Sequence, residues 1–97
     1  MGKLIRDKIP ELMKAEGKNP PIHRASDEEY YGRLKEKLQE EVNEFLVSGE
    51  KEEIADILEV IDAICVFQKV EKKEIEKIQR EKAEKKGKFK NRVILEQ

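Results

Sequence analysis

The sequence has one cysteine, one histidine and no apolar run of the length that a membrane span requires. With Cys65 alone, no disulfide can form within the chain, so we expect a reducing compartment, the cytoplasm. A membrane-spanning helix needs about 20 apolar residues, and neither such a stretch nor the hydrophobic part of a signal peptide is present. The composition therefore predicts a cytoplasmic protein with no membrane partner.

The sequence also has no excess of positive or of negative charge. The 97 residues include 21 basic and 22 acidic side chains, for a net charge of −1, although charged residues make up 44% of the chain. A protein that binds a nucleic acid polymer must neutralise several phosphates with a basic surface. The balanced charge argues against a nucleic acid partner and leaves a single nucleotide open as a ligand.

The spacing of the apolar residues predicts one all-α domain over residues 1–97. Between residues 30 and 67 the apolar side chains recur every three or four positions, which is typical of amphipathic helices. Ser26 followed three residues later by Glu29 indicates a capping box at a helix start. The pattern predicts four helices, at about residues 10–16, 27–47, 50–68 and 71–87.

The third predicted helix is apolar around most of its circumference, which one neighbouring helix cannot cover. A short connection makes the second and third helices an antiparallel hairpin. We therefore expect an antiparallel helical bundle that a second subunit completes, as a homodimer or a higher homo-oligomer. The apolar cluster at residues 93–95 is expected to dock on this bundle.

Acidic residues crowd the two helices near the turn of this hairpin. At about 100° per residue, Glu41 and Glu44 lie on one edge of the apolar stripe of the second helix. In the third helix, Asp56 shares an apolar face with Val60. The hairpin brings the first edge against the one that carries Glu53 and Asp56, so four carboxylates are expected to converge. Like charges 4–5 Å apart repel by about 3–4 kcal/mol at an effective dielectric near 20, so such a cluster requires a cation.

The expected ligand atoms are all oxygens, which favours a hard divalent cation, Mg²⁺ first and Mn²⁺ as a substitute. His23 lies in a proline-rich loop, whereas a ferritin-like di-iron site needs Glu-x-x-His pairs within the helices. The same acids could instead pair with the many Lys and Arg side chains on a solvated face. The residue pattern alone leaves both interpretations open.

Two acidic motifs resemble those of a known superfamily. EEVNE at residues 40–44 and EEIAD at residues 52–56 resemble the E-E-x-x-E and E-x-x-D signature of the MazG-like all-α nucleoside triphosphate pyrophosphatases. KLIRDKIPEL at residues 3–12 resembles the opening of a small branch related to phosphoribosyl-ATP pyrophosphohydrolase, often described as house-cleaning enzymes. EVIDAI at residues 59–64 adds to a likeness that covers nearly the whole chain. The resemblance implies a single MazG-like helical domain, a homodimer, and Mg²⁺-dependent hydrolysis of a nucleotide to a monophosphate and pyrophosphate.

The resemblance also assigns residues to roles. It implies a set of four metal ligands: Glu41, Glu44, Glu53 and Asp56. Glu40 acts from outside that set, and Glu40 and Glu41 are the residues expected to activate water. Phosphate contacts are expected from basic residues of the opening and the tail: Lys3, Arg6, Lys8, Lys88 and Arg92. The relatives tend to have two glycines before a phenylalanine in the tail, whereas this sequence has Gly87-Lys88-Phe89. The resemblance therefore does not imply that the tail closes over a substrate.

A second interpretation belongs to a different class of protein. A helical binding or scaffold module could keep this fold and its acidic cluster without catalysis. The two interpretations differ in their response to Mg²⁺, because an ion that binds only the folded state stabilises it. We expect an enzyme of the proposed kind to gain stability with Mg²⁺ and a scaffold to show no change.

Overall fold

The computed structural model describes residues 2–96, and these form four α-helices and no strand. Helix α1 spans Ile9–Ala15, α2 spans Asp27–Ser48, α3 spans Lys51–Phe67 and α4 spans Lys72–Lys86. The all-α fold is confirmed, and each predicted helix end lies within one residue of the observed one. None of the described helices is both long enough and apolar enough to cross a membrane.

Capping residues set the two ends of α2. Ser26 Oγ accepts a hydrogen bond from the backbone N–H of Glu29 at 3.3 Å. The Glu29 carboxylate lies 3.0 Å from His23 Nε2 instead of reaching back to the helix start, so half of the predicted capping box forms. At the other end, Gly49 adopts a φ of 68°, a left-handed conformation that glycine takes without strain. The chain then turns directly into α3.

Helices α2 and α3 form an antiparallel hairpin, which is the main helix–helix packing in residues 2–96. Its core contains Leu34, which is 1% exposed, and Val60, which is 8% exposed. At the end far from the turn, the rings of Tyr31 and Phe67 stack with centroids 5.3 Å apart. Gln68 Nε2 donates a hydrogen bond of 2.8 Å to the Tyr31 hydroxyl. These contacts fix how the two helices align along their length, and they thereby place the acidic edges near the turn side by side.

The segment of residues 2–8 lies across this hairpin. Arg33 Nη1 donates a hydrogen bond of 3.2 Å to the carbonyl of Gly2, and Lys3 Nζ lies 3.5 Å from Glu40 Oε1. The segment forms one wall of a cleft of about 410 Å³ whose other wall is the hairpin. The first residues of the chain thus complete a concave surface next to the acidic edges.

Helix α4 lies at the periphery of the fold. Lys72 Nζ at its start is 3.7 Å from Asp62 of α3, while Ile75 and Ile78 are 39% and 50% exposed. Beyond α4, the apolar cluster of residues 93–95 is almost fully exposed. The prediction that this cluster docks on the bundle is wrong for the single chain. The physical reason is that α4, which precedes this cluster, packs little against the hairpin.

Candidate metal centre

Three carboxylates from two helices meet near the turn of the hairpin. One oxygen atom from each of Glu41, Glu53 and Asp56 lies within 4.8 Å of the others. Glu41 belongs to α2, whereas Glu53 and Asp56 are three residues apart on one edge of α3. The antiparallel packing of the hairpin brings the two edges together, so these three residues lie where the sequence pattern places them.

Glu41 is buried, in contrast to nearly all other acidic residues of the described chain. It is 6% exposed, and its Oε2 atom is buried without a hydrogen-bond partner, while Oε1 lies 3.4 Å from Lys37 Nζ. Burial raises the pKa of Glu41, and the neighbouring Glu44 carboxyl raises it further. An ionised carboxylate in such a place is strongly destabilising unless a cation or hydrogen-bond donors compensate for lost hydration. The structure supplies such compensation to Oε1, through Lys37, and no hydrogen bond to Oε2.

Glu44 stays outside the group of three. Its side chain is exposed and contributes no oxygen to the cluster, although its carboxyl is near enough to raise the pKa of Glu41. Four carboxylates were expected to converge, and three of them do. The reason is geometric, because Glu44 lies about 60° around α2 from Glu41, on the side that faces solvent.

Asp56 already has a cationic partner within the chain. Arg6 Nη2 lies 2.7 Å from Asp56 Oδ1, and the two side chains are 57% and 36% exposed. Because both remain in contact with water, this ion pair contributes little to stability. Glu53, the third member of the group, accepts a hydrogen bond of 3.3 Å from Ser48 Oγ. The Arg6 guanidinium therefore neutralises one side of the cluster and leaves Glu41 without a partner for Oε2.

Lys37 is a residue of this site that the sequence analysis did not identify. Its Nζ lies 3.3 Å from Glu40 Oε2 and 3.4 Å from Glu41 Oε1, and its side chain is 17% exposed. Partial burial acts to raise the pKa of Glu40, but the hydrogen bond from Lys37 and the charges of Lys37 and Lys3 hold it below its ordinary value. The spacing of three and four residues from Lys37 to the two glutamates is the sequence signal that identifies it.

Two of the three carboxylates, Glu41 and Asp56, line the cleft between the N-terminal segment and the hairpin, and Glu53 does not. The charged lining of the cleft contains both signs and comes from seven residues: Arg6, Asp7, Lys8, Lys37, Glu41, Asp56 and Glu59. Its apolar lining includes Tyr30 and Leu34. A volume of about 410 Å³ lies within the range of roughly 300–1,000 Å³ that is usual for sites that bind small molecules. Cations and carboxylates that line one cleft suit a phosphorylated ligand together with a metal ion.

The structure brings three of the five predicted phosphate contacts to this end of the molecule. Arg6 and Lys8 line the cleft, and Lys3 lies beside Glu40. Lys88 and Arg92 follow α4, are exposed, and do not line the cleft. Their absence from the cleft has the same cause as the exposed tail, since α4, which precedes them, packs little against the hairpin.

The donor set fits a hard divalent cation. Mg²⁺ binds oxygen at 2.0–2.1 Å, so two oxygens on one ion lie at most about 4.2 Å apart. Three carboxylate oxygens within 4.8 Å of one another reach this spacing with small side-chain rotations. The group contains no histidine or cysteine, as expected for Mg²⁺ or Mn²⁺ rather than zinc. Glu41, Glu53 and Asp56 are therefore chemically able to hold such an ion.

Comparison with known proteins adds one similarity. An uncharacterized protein of Mycolicibacterium smegmatis is 52% identical to this chain over 44 residues, which are 45% of this chain and 45% of that protein. The aligned segment thus spans less than half the length of this relative. No protein-family model matches the chain, and no solved structure matches it.

Proposed function

We propose that the chain is a Mg²⁺-dependent nucleotide pyrophosphohydrolase of the MazG-like kind, with Mn²⁺ as a substitute ion. It would cleave a nucleoside triphosphate, standard or non-standard, or a related nucleotide to a monophosphate and pyrophosphate. The observation that carries this proposal is the buried Oε2 of Glu41, unpaired within a group of three carboxylates. The EEVNE and EEIAD motifs support it, since they contain the same three residues.

In this proposal, Glu41, Glu53 and Asp56 hold the ion, and Glu44 approaches from the solvent side. A bound Mg²⁺ supplies positive charge that stabilises the phosphoryl group as it is transferred. Arg6 and Lys8 line the same cleft as Glu41 and Asp56 and would offer donors to the phosphate oxygens. Lys88 and Arg92 do not reach this cleft in the described conformation and take no part in the proposed mechanism.

Glu40 is the proposed proton acceptor. Lys37 and Lys3 hold its two oxygens at 3.3 Å and 3.5 Å, and their charges keep its pKa low, so the carboxylate is ionised. An ionised carboxylate fixed beside the metal ligands can orient a water molecule and accept its proton as the water attacks phosphorus. The two lysines therefore act as positioning residues for Glu40.

The proposed setting is the cytoplasm, where Mg²⁺ and nucleotides are both available. The proposed assembly is an antiparallel helical bundle that a second chain completes. The half-exposed apolar residues of α3 support this part of the proposal, because one chain leaves them in contact with water.

The test is a panel of ordinary and chemically altered nucleoside triphosphates, assayed for pyrophosphate release with Mg²⁺ and with chelator. We expect metal-dependent release from at least one of them, which Glu41→Gln abolishes. Glu52→Gln, an exposed substitution one turn before Asp56 on α3, serves as the matched control. Absence of metal-dependent turnover on the whole panel would end the enzymatic proposal.

One observation favours the scaffold alternative. Arg6 already neutralises Asp56 at 2.7 Å, and Lys37 lies 3.4 Å from Glu41, so the chain supplies two cations to the cluster by itself. In a scaffold these pairs would be sufficient, and Mg²⁺ would change neither the unfolding temperature nor the structure. An ion present at about a hundred times its dissociation constant stabilises the folded state by about 2.7 kcal/mol, so equal unfolding curves with and without Mg²⁺ would favour the scaffold.

A further inference from the structure

The lining of the cleft changes from charged to apolar along the α2–α3 hairpin. On α3 the lining passes from Asp56 through Glu59 to Ala63, a distance of about 10 Å from seven residues at 1.5 Å each. On α2, which runs in the opposite direction, it passes from Glu41 to Tyr30. The charged level of the cleft at Asp56 and Glu41 is therefore separated from the apolar level at Ala63 and Tyr30, and Glu59 lies between them.

A nucleotide that binds in this cleft, as the proposed function requires, matches this order in one orientation. Its phosphates suit the level of Asp56, where the proposed metal ligands and the Arg6 guanidinium lie. Its base has apolar faces that stack well on an aromatic ring, so it suits the level of Tyr30 and Ala63. The sugar joins the base to the phosphates, and it therefore lies at the level of Glu59.

The Glu59 carboxylate has no partner within residues 2–96. It forms no ion pair and no hydrogen bond with any other residue of this part of the chain. Its neighbours along α3 also offer no positive charge, because the residues three and four positions away are acidic or small. These neighbours are Ala55, Asp56, Asp62 and Ala63.

The other acidic residues of the cleft have cations close to them. Glu41 has a lysine nitrogen at 3.4 Å, and Asp56 has a guanidinium nitrogen at 2.7 Å. Asp7 lies between an arginine and a lysine in the sequence. Glu59 therefore adds an uncompensated negative charge to a cleft that is proposed to bind an anion, and the proposed mechanism makes no use of this charge.

An uncompensated carboxylate repels a phosphorylated ligand unless the ligand also gives it hydrogen bonds. An ionised carboxylate accepts hydrogen bonds and donates none, so the ligand must supply the donors. The donors of a nucleotide that lie between its base and its phosphates are the hydroxyls of the sugar. Ribose has two neighbouring hydroxyls for the two carboxylate oxygens, and dinucleotide-binding folds use an acidic residue on the ribose 2′-hydroxyl in this way.

We propose that Glu59 accepts hydrogen bonds from the ribose hydroxyls, the 2′-hydroxyl among them, and that the cleft thereby selects ribonucleotides over 2′-deoxyribonucleotides. A site that binds a substrate hydroxyl discriminates against the analogue that lacks it, and most strongly where the site is buried. Glu59 is exposed. The preference is therefore expected to be about tenfold, the contribution of one hydrogen bond that stays in contact with water.

The test compares ATP, GTP, CTP and UTP, each with its 2′-deoxy counterpart, by kcat/KM for pyrophosphate release with Mg²⁺. In each pair that the wild type hydrolyses, we expect a preference of about tenfold for the ribonucleotide, which Glu59→Ala reduces to less than about threefold. Both members of a pair have the same phosphates, so a general effect of the lost charge cancels in the ratio. A wild-type ratio near one, a preference for the deoxynucleotide, or a ratio unchanged in Glu59→Ala would overturn the inference.

Two variants and one analogue separate the hydrogen bond from other causes. Glu52→Ala removes an exposed carboxylate of α3 that does not line the cleft, and its ratio should equal that of the wild type. Glu59→Gln keeps an oxygen acceptor without the charge and should keep part of the preference. A 2′-fluoro-2′-deoxynucleotide cannot donate a hydrogen bond, so it should behave as the deoxynucleotide does. If it behaves as the ribonucleotide does, the proposed hydrogen bond is wrong.

Binding measurements distinguish failure of this inference from failure of the proposed function. A pair that is not hydrolysed is compared by calorimetric titration in Mg²⁺, and the same ratios are expected. A ribonucleotide preference in binding that depends on Glu59, without hydrolysis, would reject the enzyme and keep the inference. Hydrolysis without any preference would reject the inference and keep the enzyme, and a failure to bind every pair would overturn both.

Discussion

At the scale of single residues, the proposed metal site depends on how the Glu41 carboxylate is held. The residue is 6% exposed, one carboxylate oxygen contacts Lys37 and the other has no partner. A purely structural carboxylate at this depth would normally be paired on both oxygens. We interpret the remaining position as the place of a divalent ion, with Glu53 and Asp56 as the other ligands.

Substitution of Glu41 should change stability in opposite directions with and without the ion. Because the folded pKa of Glu41 is raised, the folded state binds a proton more tightly than the unfolded state. Metal-free stability therefore falls as the pH rises above the ordinary carboxyl value of 4.5. We expect Glu41→Gln to increase the free energy of unfolding by about 1–2 kcal/mol at pH 7 in chelator. Urea unfolding measures this, and a loss of stability in chelator would contradict it.

If Asp56 holds a metal ion as proposed, Arg6 competes with that ion for the carboxylate. The guanidinium lies 2.7 Å from Asp56 Oδ1 in a pair that is partly exposed to solvent, so its removal frees a carboxylate at a modest energetic cost. We expect Arg6→Gln to strengthen Mn²⁺ binding about two- to fivefold in the absence of nucleotide, from an exposed ion pair of about 0.5–1 kcal/mol. Arg24→Gln in the exposed loop is the control, and calorimetric titration is the measurement. Weaker Mn²⁺ binding by Arg6→Gln would show that Arg6 supports the site instead of competing for it.

At the scale of helices and their ends, local sequence signals were sufficient to predict where α2 begins and ends. Contacts between residues far apart in the chain could not be predicted in this way. Ser26 and Gly49 determine the ends of α2 through their own backbone and side-chain chemistry, so these ends could be predicted. The edge that carries Glu53 and Asp56 followed from helical periodicity and a short connection. The position of residues 2–8 over the hairpin depends on contacts to residues more than 30 positions away, which no periodicity encodes.

The same distinction applies to the candidate site. Glu41, Glu53 and Asp56 could be predicted because their positions depend on helix geometry alone. The approach of Arg6 to Asp56 was not predicted, because it depends on the path of the N-terminal segment. The tail at residues 93–95 was placed wrongly, because apolar character predicts burial but does not specify which surface provides it.

The contribution of Glu29, at the start of α2, to the stability of the folded state should depend on pH. A hydrogen bond to His23, together with the charges of His23 and Arg33, lowers the pKa of Glu29 below its ordinary value of 4.5, although partial desolvation opposes this. A carboxyl whose folded pKa is lowered stabilises the folded state above its unfolded pKa and loses that contribution as the pH falls through its folded pKa. The difference in stability between the wild type and Glu29→Gln should therefore be present at pH 5–6, begin to shrink as the pH falls through 4.5, and be lost at lower pH, once Glu29 is protonated in the folded state as well. Thermal unfolding over this range is the measurement, and a difference that persists at low pH would contradict the assignment.

At the scale of the whole molecule, the single chain is extended and poorly covered. Its principal dimensions are 52 × 31 × 25 Å, and many large apolar side chains remain exposed. A second chain would cover part of this exposed apolar surface, as the proposed assembly requires. Asp56 and Val60 line the cleft, whereas the exposed Leu58 and Ile61 lie on the other side of α3, so the proposed assembly would leave the cleft open.

The proposed pairing of two chains along α3, where Leu58 is 56% exposed, would make stability depend on protein concentration. Each tenfold increase in concentration adds about 1.4 kcal/mol to a dimer, which corresponds to about 2–5 °C in Tm for a pair of chains of this size. We expect this shift in the wild type and its absence in Leu58→Glu. Calorimetry over a hundredfold range of concentration measures it, and a constant Tm for the wild type would contradict obligate pairing.

The most direct measurement of the central claim is a titration of the metal-free protein with Mn²⁺, followed by the electron paramagnetic resonance signal of the free ion. The account predicts saturable binding by the wild type and loss of that binding in both Glu41→Gln and Asp56→Asn, with Glu52→Gln unchanged. Binding curves that are the same for all four proteins, or no saturable binding by the wild type, would contradict it.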